Sequence, residues 1–109
     1  MPPMEEAALV RTQNEDKSRF EIHIGGELAG FVLYRRQGRL LDLIHTEVGE
    51  RFQRHGLAGE LARFSLDTAR SQGLDVLPSC PYIRKWIGLH PDYLDLVPPE
   101  RRAEFGLSA

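Results

Sequence analysis

The spacing of hydrophobic and polar positions changes along this chain, and the changes divide it into elements. In "RFEIHI", Phe20, Ile22 and Ile24 alternate with Glu21 and His23. A period of two puts the apolar side chains on one face of a strand. "GGE" follows as a hairpin turn, with glycines able to take positive φ. "LAGFVLYRR" predicts the next strand, "QGR" a second tight turn, and "LLDLIHTEV" a third strand. Strict alternation sets Leu41, Leu43 and His45 on one face of that strand, and Asp42, Ile44 and Thr46 on the other. Three strands joined by short turns predict an antiparallel meander. Ahead of it, "AALVRTQ" predicts an edge strand and "NEDKS" a loop.

The period then becomes helical. From residue 57 to about 72, Leu57, Leu61, Phe64 and Thr68 form one stripe. Ala58, Ala62, Leu66 and Ala69 lie beside it, so one broad face is apolar and the other polar. Gly73 is placed as a C-terminal stop. "LDVLPSC" predicts a buried strand, reached from the third strand by a helical crossover and therefore parallel to it. Pro81 suits the first position of a second helix, "YIRKWIGL", because it has no N–H to leave unpaired. The order predicts a mixed α/β (α+β) domain built on one sheet. Residues 1–11 read as a loose end, 12–97 as the domain, and 98–109 as an extension with one short helical run.

Composition narrows the function classes. A chain of 109 residues with 41% hydrophobic and 28% charged content fits one globular domain. Fourteen basic residues against sixteen acidic ones give a net charge of -2, without the basic excess that nucleic-acid binding favours. No apolar run is long enough for a membrane span. "MPPMEEAALV" lacks the regions of a signal peptide, so the expected location is cytoplasmic. The histidines and the single cysteine, Cys80, show no paired ligand spacing, so no metal is expected.

The turn between third strand and long helix carries the main candidate chemistry. It holds Gln53, Arg54, His55, Gly56, Leu57 and Ala58. Helix N-termini present unpaired N–H groups and partial positive charge, and glycine lets a ligand approach the backbone closely. Such a turn fits a pyrophosphate cradle, with Arg51, Arg54 and His55 adding positive charge. Taken alone it fits an ordinary helix start better, since glycines are common at such turns. The GxxxxGK[ST] of a P-loop and the GxGxxG of a dinucleotide fold are both missing, which disfavours ATP and NAD.

"QRHGLA" resembles the Q/R-x-x-G-x-G/A pattern of the GNAT superfamily of acetyl-CoA-dependent N-acetyltransferases, at Gln53, Gly56 and Ala58. The strand meander, then "HTEV", then the long helix, then "LPSCPYIRKWIGLHPDY" are similar to its minimal, single-domain members. The resemblance implies a compact GNAT-like fold and acetyl-CoA as co-substrate, with an amine as acceptor. It implies that the turn and helix start grip the CoA pyrophosphate, and that Thr46, Glu47 and Val48 line the pantetheine arm through their backbone. Tyr82 is a further candidate lining residue. The chain is too short for the extra helices that build an acceptor site in larger members, so that site is expected to be open or completed by a partner; a monomer or weak homodimer is expected.

Amine acetylation needs a base for the amine proton, a donor for the oxyanion and an acid for the leaving thiolate. Cys80 ends the last strand and caps the second helix, where the positive helix end favours thiolate chemistry. His45 sits near the end of the third strand. If those strand ends adjoin, Cys80 acts as acid/base or transient acyl acceptor with His45 as proton partner; Glu47 is the other acid/base candidate. Three functions remain open: an acetyl-CoA-dependent N-acetyltransferase, a non-catalytic CoA-binding module, and a Cys-dependent acyl-thioester hydrolase.

Overall fold

The period-two segments build one sheet, with strand order β1-β2-β3-β4-β5. The strands are β1 (Leu9–Asn14), β2 (Arg19–Ile24), β3 (Glu27–Gln37), β4 (Leu40–Val48) and β5 (Asp75–Leu77). Two α-helices, α1 (Leu57–Ser71) and α2 (Pro81–Leu89), follow β4 and β5 respectively. The computed structural model describes residues 8–107. Residues 1–7 of the expected loose end lie outside the described residues. The rest of that end does not stay loose: β1 pairs with β2 from Leu9↔Ile24 onward, so Leu9, Val10 and Arg11 belong to the sheet.

β1 to β4 run antiparallel to their neighbours, and β4 and β5 run parallel across the α1 crossover. Phe20 and Ile22 of β2, Val32 of β3 and Leu41 and Leu43 of β4 have no exposed surface. Against them pack Leu61, Ala62, Leu66 and Ala69 of α1, with Ile83 and Ile87 of α2 in the same cluster. Each Phe, Ile, Leu or Val among them contributes about 1.5–3 kcal/mol through burial and each Ala less, so this layer is the main stabilising feature. α1 comes unusually close to the sheet at Gly30. A Cβ there would lie 2.7 Å from the Glu47 carbonyl oxygen and 3.2 Å from Leu61 Cδ1. Of the expected extension 98–109, the described residues end at Leu107, which is buried and stands over Gly88 of α2; residues 108–109 lie outside the described residues.

One irregularity in β4 decides where its side chains point. Tyr34 pairs with Leu43 but Leu33 pairs with His45, so Ile44 is an extra, unpaired residue. Such a bulge reverses the alternation beyond it. Thr46 therefore faces α2, where its hydroxyl meets Cys80, whereas His45 faces the opposite side together with Phe31 and Glu47. The expectation that His45 shares a face with Leu41 and Leu43 is corrected by this single residue.

Candidate functional site

β4 and β5 part after a short common run. Their pairing covers Leu40↔Asp75, Leu41↔Val76 and Asp42↔Leu77, and the last link is Cys80 N–H donating to the Leu43 carbonyl at 2.7 Å. Beyond it β4 continues to Val48 without a partner on that side. Gly49 N–H donates to the Ala29 carbonyl at 2.8 Å, which fixes the phase of the β3–β4 ladder. Alternation then turns the N–H and C=O groups of Thr46 and Val48 away from β3, into the gap. Those of Glu47 turn toward Phe31. Two of the three strand residues expected to offer backbone groups do so; Glu47 does not, because its backbone is used within the sheet.

The open end of the gap meets the start of α1. A single 3₁₀ turn (Glu50–Phe52) carries the chain there and buries Phe52. Gly56 then takes φ 73° and ψ 16° as the residue before the helix, with no side chain capping it. Only glycine adopts this left-handed conformation without strain. Arg54 holds φ 70°, a conformation that L side chains rarely adopt. The first intrahelical bond is Glu60 N–H to the Gly56 carbonyl at 3.1 Å, so the N–H groups of Leu57, Ala58 and Gly59 have no acceptor within the helix.

These parts enclose a cleft of about 160 Å³ lined by Val48, Phe52, Gln53, Arg54, Gly56, Leu57, Ala58, Gly59 and Tyr82. Val48, Gln53, Arg54, Gly56, Leu57, Ala58 and Tyr82 were all candidates from the sequence. Gln53 Nε2 donates to the Val48 carbonyl at 3.4 Å. His55 is exposed beside the cleft and does not line it. Arg51 is not available as a third positive charge, since it forms a two-pronged pair with Glu27.

Two lining residues were missed. Phe52 is the one apolar residue in "GERFQRH", a signal that it anchors the turn. Gly59 is the second glycine of "GLAG", and it brings α2 close: a Cβ there would lie 3.7 Å from Trp86 Nε1 and 3.8 Å from the Tyr82 hydroxyl. Trp86 is itself stacked on His90, with ring centroids 3.7 Å apart, and covered by Arg63. This packing holds α2 against α1.

At the narrow end stand Thr46, Cys80 and Tyr82. Thr46 Oγ1 lies 3.4 Å from Cys80 Sγ, and Cys80 is 3% exposed. Burial, helped by the nearby Cys80, raises the Tyr82 pKa above its ordinary 10.0, so the phenol stays protonated at neutral pH. The expected Cys80–His45 pair is not formed. On the other face of β4 the His45 ring nitrogen Nε2 lies 3.2 Å from Glu47 Oε1, and both side chains are more than half exposed.

Residues 19–96 match the family described as GCN5-related N-acetyl-transferase. The chain belongs to that family. Protein NATD1 of Mus musculus is 30% identical over 105 residues, covering 90% of this chain and 96% of the relative. Protein NATD1 of Homo sapiens is 30% identical over 88% of this chain and 89% of its own length, and that of Danio rerio 31% over 81% and 84%. The GCN5-related match spans β2 through α2, so the cleft, both helix starts and the His45–Glu47 pair all lie within it.

Proposed function

We propose that this chain transfers the acetyl group of acetyl-CoA to an amine, with the cleft before α1 as the CoA site. The observation that carries this reading is a convergence of backbone donors. Unpaired N–H groups at the start of α1 and the outward backbone of Val48 open into one cleft, and the outward backbone of Thr46 lies two residues further along the same edge of β4. A helix start attracts a pyrophosphate through its N–H groups and dipole. Arg54, which makes no ion pair among the described residues, adds charge. An amide-bearing arm then extends along β4, exchanging hydrogen bonds with Thr46 and Val48 as a strand would. From Val48 to Thr46, where Cys80 closes the gap, this path is about 7 Å at roughly 3.4 Å per residue. It delivers a thioester to the narrow end, beside Cys80 and Tyr82.

The amine nitrogen attacks the thioester carbonyl carbon, the C–S bond breaks, and the CoA thiolate leaves. Tyr82, still protonated, and the Cys80 thiol are the proton donors nearest that thiolate. An acceptor arriving from the helix-free face meets Glu47 and His45, which take the amine proton. The hydrolase reading loses its support, because the bulge at Ile44 separates His45 from Cys80.

CoA release from acetyl-CoA, followed with and without a panel of amines, tests the proposal. Release that requires an amine is the expected result. Release at the same rate without amine would instead indicate a hydrolase, and binding of CoA without release for any amine a binding module.

A further inference from the structure

Resting on the acetyl transfer proposed above, we infer that the acceptor is a small monoamine whose nitrogen is carried on an uncharged, apolar stem. A groove of about 110 Å³ lies beside the proposed proton acceptors, lined by Leu28, Ala29, Gly30, Phe31, Glu47 and Gly49. Its larger side chains share the helix-free face. Phe31 of β3 stands directly across from Glu47 of β4. Leu28 pairs with His23, which lies beside Glu21 on that face. Leu28 is 38% exposed, so the end of the groove away from Glu47 is open apolar surface. Ala29, Gly30 and Gly49 add no polar side chain. The groove therefore presents one carboxylate and an otherwise apolar lining.

The charges around the groove match a single ammonium. Glu47 has no arginine or lysine partner among the described residues; its ion contact is His45, at 3.2 Å. The nearby carboxylates are already taken. Arg19 holds Glu21, and Arg51 holds Glu27, the neighbour of Leu28. The Arg19 guanidinium also lies over the Phe31 ring, 4.7 Å from its centroid. Position favours Glu47 as well, since it stands between Thr46 and Val48, whose outward backbone borders the proposed CoA path. An amine held at Glu47 extends its stem over Phe31 toward Leu28. A second ammonium on that stem loses water against apolar surface, finds no free carboxylate and is repelled by Arg19. A carboxylate on the stem is repelled by Glu47. A lysine within a peptide brings its polar backbone onto Leu28.

Hexylamine and diaminohexane, with an amine at each end, differ by one terminal ammonium and form the test pair. Initial rates of CoA release from acetyl-CoA are measured with each, with spermidine and with a lysine-containing peptide. Wild type is compared with Leu28→Asp, whose melting temperature is recorded first. Wild type is expected to use hexylamine with a kcat/KM at least about tenfold above that for diaminohexane, the lower end of discrimination by an apolar pocket, with the difference carried in KM. Leu28→Asp puts a carboxylate at the far end of the groove and is expected to narrow that ratio several-fold by lowering KM for the diamine. Equal or better use of diaminohexane, spermidine or the peptide by wild type overturns the inference, and this holds even if Leu28→Asp fails to fold. An unchanged ratio in a folded Leu28→Asp overturns the assignment to this groove. Amine-dependent release without the preference removes only the acceptor class, whereas no release with any amine removes the acetyl-transfer reading and the acceptor class with it.

Discussion

Two helix starts meet at the cleft, and they are built differently. α1 begins at an exposed turn, with Gly56 in the left-handed region, no side-chain cap, and N–H groups that the chain leaves without acceptors. α2 begins in the core. Cys80 precedes it in an extended conformation, Pro81 has no N–H, the Cys80 N–H is bonded to Leu43, and the thiol is pressed on Thr46. The first start offers backbone donors to a ligand. The second offers a fixed side-chain wall and a protic group. On the function proposed above, pyrophosphate binding rests on the first start and protonation of the thiolate on the second, and variants at each should separate them.

The largest effect is expected at the start of α2. Cys80→Ala should lower amine-dependent turnover by about 10²-fold or more if the thiol moves a proton, the usual scale for losing an acid or base. CoA affinity should change little, because the donors proposed for CoA are backbone groups of α1 and β4. Turnover at the wild-type rate across the pH range would return Cys80 to a purely structural role.

A smaller effect of opposite sign is expected at the start of α1. Arg54 holds a conformation that is unfavourable for any residue with a Cβ. Arg54→Gly should raise the unfolding free energy by somewhat under 1 kcal/mol, since glycine relieves the strain but gains freedom in the unfolded chain. The same variant should bind CoA more weakly and with a shallower dependence on salt, because a charge beside the pyrophosphate is lost. Thermal melts and titrations at two ionic strengths read both changes. Unchanged CoA affinity would remove Arg54 from the cradle.

The smallest effect lies away from both helices, on the helix-free face. Burial opposes ionisation of Glu21, but hydrogen bonds from Arg19 and Asn14, together with the charges of Arg19 and His23, outweigh it and hold the pKa below its ordinary 4.5. A carboxylate lowered on folding adds stability above its unfolded pKa, and that stability is lost as pH falls through the folded value. The melting temperature of Glu21→Gln should therefore fall less steeply than that of wild type below about pH 4.5. CoA affinity at neutral pH should stay unchanged. Parallel acid limbs would show that Glu21 carries no such linkage.

The elements were legible in the sequence because periodicity dominates them. The helix expected over 57 to about 72 spans Leu57–Ser71, and Pro81 opens α2 as its missing N–H requires. The parallel crossover followed from the order of elements alone. The phase of β4 was not legible. An inserted residue such as Ile44 leaves no mark in composition or alternation, and it exchanged the faces of His45 and Thr46. The resemblance named three consecutive residues, Thr46, Glu47 and Val48, but backbone groups alternate along a strand, so Glu47 between the other two is found in the ladder. Nor did the sequence signal the left-handed arginine before Gly56, because no residue-type preference points to it.

Residue-resolved amide chemical shifts during a titration with CoA test the central claim most directly. The account predicts the largest shifts at the amides of Thr46, Val48, Leu57, Ala58 and Gly59 and at the Trp86 indole N–H, with Glu47 moving less than its two neighbours. Shifts concentrated on Arg19, Glu21 and His23, or no shifts at millimolar CoA, would contradict it.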